Sequence, residues 1–149
     1  MVQAPDVLKK NISTYLNEFR LISDAIDILD AQVLNYRIDV SISIAPGSNK
    51  FAVAKLVIDS LKKLLKLEKM QVGMPIVEAD IINTIINNVG VLSLVELRLS
   101  SLSGTIQSRT YSDESLNMDS AKINGIYFPP PGGIFELRHP NHDIRVTVK

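Results

Sequence analysis

The sequence predicts an α+β fold, a two-layer sandwich built on a strand-helix-helix-strand unit. Residues 37–44 and residues 92–99 alternate apolar and polar side chains, which is typical of strands with one buried face. Between them, residues 50–67 and 77–88 repeat apolar side chains at helical spacing. Two helical crossings reverse the chain direction twice. The two strands should therefore lie antiparallel in one sheet, with both helices on one face.

The first 36 residues are predicted to form a separate N-terminal helical segment. Residues 6–20 follow the helical period, and Asp6 is placed to cap the helix after Pro5. Residues 22–35 fit a helix and a strand equally well, so they stay unassigned and their role is open.

The α+β core unit is predicted to span residues 37–103. Ser48 or Asn49 can cap the first core helix, and Gly90 is placed to stop the second. The alternation of the last strand slips at Leu94 and Val95, which indicates a bulge or a strand covered on both faces. We expect four side chains to be buried in this unit: Ile42, Leu61, Ile85 and Leu97.

Residues 104–149 are predicted to form a β-rich C-terminal extension instead of a second core. Short β-like runs occur at residues 123–128, 134–137 and 144–148. A triple proline followed by two glycines separates the first two runs, and Pro140 with Asn141 separates the last two.

Composition excludes more chemistry than it suggests. The 149 residues contain no cysteine, which removes disulfides, thiolate metal sites and thiol catalysis. His139 and His142 are the only histidines, and the intervening Pro-Asn indicates a turn in preference to a metal-binding helix face. We expect a protein that is not an enzyme, with no catalytic residue, no cofactor and no metal. No apolar stretch is long enough to cross a membrane, so no membrane partner is expected.

Charge is balanced overall but concentrated locally. Sixteen basic and sixteen acidic side chains give a net charge of zero, so no global field favours nucleic acid. Residues 37–70, however, carry seven basic and three acidic side chains. Lys62, Lys66 and Lys69 form the most basic part of a helix face, which could meet a partner, a ligand or nucleic acid. A solvated helix face is the simpler interpretation.

The segment from Ile123 to Leu137 is the second candidate partner surface. Its apolar side chains gather around the rigid proline run: Ile126, Tyr127, Phe128 and Phe135. Aromatic anchors beside proline suit docking of another protein. Ordinary packing of the C-terminal tail explains the same residues, and the sequence leaves both alternatives open.

One family resemblance covers nearly the whole chain. The block from Tyr36 to Ser100 resembles the C-terminal region of phage baseplate wedge proteins of the baseplate J-like family. It shares an alternating strand, a long amphipathic helix, a Gly-x-Pro-Ile segment at residues 73–76, and a helix ending in Gly90-Val91 before another strand. The flanking "LNEFRLISDAIDILDAQVLNY" and "NGIYFPPPGGIFELRHPNHDI" are similar to the large wedge subunit of T-even-like contractile-tail phages.

The resemblance implies a structural role. Family members are considerably longer, so this chain should correspond to their C-terminal portion. A wedge subunit would join copies of itself, as a homodimer or larger assembly, and neighbouring baseplate proteins into a ring around the tail tube. Its location would be the virion tail baseplate, after assembly in the host cytoplasm. The family has no catalytic residues to carry over.

Overall fold

The computed structural model describes residues 3–20 and 25–149, and the chain divides into two compact units, residues 1–31 and 32–149. The first unit contains helix α1, Asp6–Asn17, which confirms the predicted N-terminal helix. Asp6 does not cap it. Pro5 holds the cap position and Asp6 is the first helical residue, with no side-chain capping bond. Of the unassigned stretch, residues 22–24 lie outside the described residues.

The second unit contains the remaining helices and strands, in mixed α+β order. They are β1 (Gln32–Ile44), α2 (Lys50–Leu64), a 3₁₀ turn (Leu67–Lys69), β2 (Ile76–Val77), α3 (Glu78–Ile86), β3 (Val91–Leu102), β4 (Thr105–Ile106), β5 (Arg109–Thr110), α4 (Met118–Ala121), β6 (Lys122–Ile123), β7 (Ile126–Tyr127), β8 (Gly133–Glu136), α5 (Pro140–Asp143) and β9 (Ile144–Val148). The strand-helix-helix-strand order predicted for the core is therefore present as β1-α2-α3-β3.

Strand β1 is the centre of the main sheet. It pairs antiparallel with β3 on one edge, as predicted. On its other edge it pairs in parallel with β8 along its first residues and with β9 further on. Helix α5 connects β8 to β9, so these two short strands follow one edge of β1 in succession. The small strands β2, β7 and β6 form a separate three-stranded sheet.

The slip in the alternation of β3 is a bulge. Ser41 pairs with Glu96, but the next residue, Ile42, pairs with Leu94, which leaves Val95 without a partner on β1. An extra residue on one strand is the definition of a bulge, and it shifts the following side chains to the opposite face. The shift accounts for the irregular sequence pattern at this point.

The core lies between one face of the main sheet and helices α2 and α3. Three of the four side chains expected in it, Ile42, Leu61 and Ile85, are fully buried. Leu97 is only partly buried and packs at the margin of the cluster. It lies on β3, the edge strand of the sheet, so its neighbours enclose it less completely than they enclose residues of β1.

The unit boundaries differ from those expected. The predicted division at residues 36/37 falls inside β1, which already begins at Gln32. The segment 104–149 contributes β8 and β9 to the main sheet and Phe135 and Ile144 to the core. Parallel pairing needs a long connection, so local sequence could not reveal that the C-terminal tail returns to β1.

Candidate interaction surfaces

Lysines at the end of α2 and just after it line a basic cleft. We use this name for the cleft rimmed by Lys62, Lys63, Lys66 and Arg138, which encloses about 740 Å³ between the end of α2 and the β8–α5 connection. Its lining includes the apolar side chains of Leu65 and Leu137.

The opposite end of α2 is capped by Asn49. Its side chain accepts hydrogen bonds from the amides of Phe51 and Ala52, at 3.0 and 3.2 Å, so capping fixes where this helix starts.

Local partners already engage two of the predicted lysines. Lys62 Nζ donates a 2.7 Å hydrogen bond to Asn141 Oδ1, which ties α2 to α5 across the cleft. Lys66 Nζ lies 2.6 Å from Glu68 Oε2 in an exposed ion pair. Lys69 is exposed in the 3₁₀ turn and does not line the cleft. The structure therefore brings Lys62 and Lys66 together at one site, and places Lys69 apart from it.

Tyr127, a predicted interface residue, belongs to the core of its own domain. It is 4% exposed, and it pairs with Ile76 across the small sheet. Its hydroxyl donates to Glu78 Oε1 at 3.4 Å, and the same carboxylate oxygen accepts a 2.7 Å bond from Lys122 Nζ. Burial and the Glu78 carboxylate raise the pKa of Tyr127, while the hydrogen bond to Glu78 raises the pKa of Lys122. Tyr127 is thus unavailable as a surface anchor.

Phe135 is buried as well, whereas Phe128 is not. Phe135 is 1% exposed, and its ring meets that of Tyr36 edge to face with centroids 5.9 Å apart. Ile126 is half-buried. Phe128 is 44% exposed and is the one aromatic side chain of the predicted set that a partner could reach. Intramolecular packing, the alternative left open by the sequence, therefore applies to Tyr127 and Phe135.

Sequence analysis missed an exposed apolar surface at one end of the core. The turn that follows β1 and the turn that precedes β3 meet there, because the Ala45 amide donates a 3.0 Å hydrogen bond to the Gly90 carbonyl. Beside these turns lie Phe51, Val89 and Leu92, which are 88%, 85% and 65% exposed. We call these three residues the apolar end patch. The second core helix, predicted to reach residue 88, ends at Ile86, so Val89 lies beyond it.

The histidines lie around α5 and contact residues of β5 and of the segment that follows it. The His139 ring packs edge to face on Tyr111, with centroids 5.3 Å apart, and its buried Nε2 has no hydrogen-bond partner. His142 is exposed, and its Nδ1 lies 3.0 Å from Arg109 Nη2. Among residues 3–20 and 25–149, no three His, Cys, Asp or Glu side chains are arranged to hold a metal ion.

A second groove, of about 380 Å³, lies on the opposite face of the main sheet. Asp39, Arg98 and Arg145 line it from three adjacent strands, β1, β3 and β9. Arg37 Nε lies 3.0 Å from Asp39 Oδ2, so that carboxylate is already paired. Because alternate residues of a strand share a face, this polar row follows from the period-two pattern of β1.

No helix within the described part of the chain is both long enough and apolar enough to span a bilayer. In comparisons with known proteins, no family model matches the chain and no curated protein sequence matches it. The functional argument therefore rests on the sequence resemblance and on the surfaces described above.

Proposed function

We propose that this protein is a structural subunit of a contractile phage tail baseplate, a wedge component that works through protein-protein contacts and not through catalysis. Its partners would be other copies of itself and neighbouring baseplate proteins in the virion. The sequence resemblance supports the assignment to a baseplate. The exposed apolar side chains support the proposal that the protein binds other proteins.

The glycines on which the resemblance depends occupy demanding positions in the fold. Gly73 and Gly90 both have positive φ, +78° and +92°, which side chains other than glycine adopt only at a cost. A Cβ on Gly90 would lie 2.7 Å from Val53 Cγ2. The backbone of the strand-helix-helix-strand unit therefore requires glycine at these two positions. A match at Gly73 and Gly90 supports the resemblance more strongly than a match of apolar residues does.

The apolar end patch is the observation that carries the proposal of protein-protein contact. Phe51, Val89 and Leu92 each leave most of their side-chain surface in water. Large apolar side chains left exposed on a domain surface are a feature of sites where another macromolecule binds. A partner that covers them would gain the free energy of apolar burial, about 25 cal/mol per Å².

Two measurements test the proposal. The reading frames adjacent to this one should encode tail-tube, sheath or baseplate proteins, and unrelated metabolic genes there would contradict it. The chain should also co-purify with those neighbours when they are expressed together, as measured by gel filtration with light scattering.

A double variant, Phe51→Ser with Val89→Ser, should fold normally and lose this association, since each buried anchor contributes about 2 kcal/mol or more at an interface. Ile123→Ser is the matched control, because Ile123 is 59% exposed but lies outside the patch. If the double variant assembles as well as the control, the contact surface lies elsewhere.

The basic cleft favours a second candidate function, a small nucleic-acid- or ligand-binding module. Its volume of about 740 Å³ lies within the range of ligand pockets, and four cationic side chains line it together with the acidic residues Glu68 and Glu136. If the cleft binds nucleic acid, affinity for DNA should fall steeply as salt rises. Lys63→Gln with Arg138→Gln should weaken that binding, whereas Lys69→Gln, outside the cleft, should not.

A further inference from the structure

Strand β3 leaves one long edge of the main sheet without a partner strand. On one side it pairs with β1 along its whole length, from Val91 to Leu102. On its other side, no strand from the residues that the structure describes pairs with it. Alternate residues of an antiparallel strand turn their N–H and C=O groups toward opposite sides. Alternate residues of β3 therefore present their backbone groups on the outer edge, where no other described residue forms a backbone hydrogen bond with residues 92–100.

This edge is poorly protected against pairing. The sequence of residues 91–102 contains neither proline nor lysine, which native proteins place on exposed edges to prevent association. Its one protective feature is the bulge at Val95. The Leu116 amide donates a 3.1 Å hydrogen bond to Ser101 Oγ, so the chain itself approaches the end of the strand. We call residues 92–100 the open edge. An edge of this length is a template for another strand.

The charged side chains of the open edge are complementary to themselves. Glu96 and Arg98 are exposed and line the groove on the face of the sheet opposite the helices. Neither forms an ion pair with another residue in the described ranges. If two antiparallel copies of β3 pair about Leu97, Glu96 of each copy lies directly opposite Arg98 of the other. Moving the centre of symmetry by one residue would instead place Glu96 opposite Glu96, or Arg98 opposite Arg98.

The same register covers apolar side chains on the helix-bearing face. Leu97 is only partly buried, and it would lie opposite Leu97 of the second copy. If the second copy passes over Val95 as β1 does, Leu94 lies opposite Leu99 of the second copy on the same face. A second strand would therefore complete the burial that Leu97 lacks at the edge of a single sheet.

We infer that β3 pairs antiparallel with β3 of a second copy of this chain, centred on Leu97, and joins the two main sheets into one. A symmetric contact uses the same surface on both copies, so it closes as a dimer and does not extend into a filament. As a statement of where copies of the chain meet, the inference rests on the proposed function. It uses neither Phe51 nor Val89, so the double variant at those residues should still dimerise even though it loses its neighbouring proteins. The two proposals can therefore fail separately.

Reversal of charge tests the pairing and its register. Sedimentation equilibrium should show that the unsubstituted chain dimerises. Glu96→Arg and Arg98→Glu each place like charges opposite one another twice in the dimer, so each should weaken dimerisation about ten-fold or more. A mixture of the two variants, or both substitutions in one chain, should restore dimerisation because opposite charges face each other again. Arg145→Glu is the matched control, since Arg145 lies on the other side of β1 and should not affect dimerisation.

The outcomes that would overturn the inference are distinct. A chain that stays monomeric at millimolar concentration would leave the open edge to a strand of another protein or to solvent. Single variants that dimerise as well as Arg145→Glu, or a mixture that does not restore dimerisation, would also overturn it.

Hydrogen exchange on the unsubstituted protein gives a second measurement, which does not depend on the folding of any variant. Alternate amides of residues 92–100 should exchange more slowly as the protein concentration rises, because the second strand accepts their hydrogen bonds. Exchange at these amides that is independent of concentration while the protein dimerises would place the contact elsewhere and overturn the inference.

Discussion

Helices α1 and α2 have similar amphipathic sequences and opposite environments. In α2, Val53, Val57 and Leu61 are buried. No residue of α1 is buried, and Val7 and Tyr15 are 71% and 62% exposed. The comparison shows that helical periodicity predicts a helix and its apolar face, but not whether another layer covers that face.

Local contacts maintain α1 within its own unit. The rings of Tyr15, in the last turn of α1, and Phe19, just after the helix, lie 5.2 Å apart. Lys9 Nζ lies 2.5 Å from Asp30 Oδ2, and this hydrogen bond lowers the pKa of Asp30. Interactions of this kind contribute little compared with burial in a core, because the groups remain near water.

The largest difference in stability between a buried and an exposed side chain is expected at two adjacent aromatic residues. Tyr127→Ser should lower the free energy of unfolding by about 3–5 kcal/mol, because it leaves a cavity where a buried ring was. Phe128→Ser should lower it by less than about 1 kcal/mol, since that ring is already partly in water. Urea denaturation followed by circular dichroism measures both. Equal losses would show that Phe128 is also core.

Replacing one apolar residue by alanine in a helix with a buried face and in a helix without one compares how much each face contributes to stability. Ile85→Ala, in the buried face of α3, should cost about 2–5 kcal/mol. Leu16→Ala in α1 should change stability by no more than about 0.5 kcal/mol, because no packed core is lost. The same denaturation experiment applies. A loss below half a kcal/mol at Ile85 would contradict its place in the core.

Alanine substitution at Gly47 and Gly90 distinguishes the cost of backbone strain from the cost of a steric clash. Gly90→Ala and Gly47→Ala both force a side chain into positive φ, at a cost of about 1–2 kcal/mol. Only at Gly90 does the new Cβ meet another atom, Val53 Cγ2 at 2.7 Å, whereas nothing lies within 4 Å at Gly47. Gly90→Ala should therefore cost a further 1 kcal/mol or so from overpacking. Similar melting temperatures for the two variants would mean that Val53 moves aside freely.

One further effect appears only at high pH. Burial, together with the hydrogen bond to Asp143, raises the pKa of Tyr111 to about 12. The unfolded chain ionises tyrosine near pH 10, so the contribution of Tyr111 is complete below pH 10 and is lost as pH rises toward 12. Tyr111→Phe should make stability less dependent on pH in this window. Denaturation midpoints at pH 9 and pH 11.5 measure it, and an unchanged slope would exclude Tyr111 as a source.

Strong local patterns predicted the architecture of the core. The period-two runs located β1 and β3. The doubled apolar run at Leu94 and Val95 indicated either a bulge or a strand covered on both faces, and the structure has the bulge. Asn49 was one of two candidate caps and is the one the structure uses, because its side chain reaches two free amides of the first helical turn.

The candidate surfaces were harder to predict. Tyr127 and Phe128 are chemically alike neighbours in sequence, and the direction in which each points depends on the pairing of β7 with β2. Phe51 and Val89 were missed because one lies in the first turn of a helix and the other follows a helix end, where periodicity says little about exposure. A large aromatic residue two positions after an N-cap is the signal that could have identified Phe51.

The sequence by itself determined the central parts of β1 and β3, the helices α2 and α3, the Asn49 cap and the turn at Gly90, because those depend on interactions among residues close along the chain. Only the tertiary structure decided that the C-terminal tail completes the main sheet and that the apolar face of α2 is buried while that of α1 is exposed. It also decided that Arg109 meets His142. These outcomes depend on contacts between residues distant in sequence, whose closure cost and geometry local patterns do not encode.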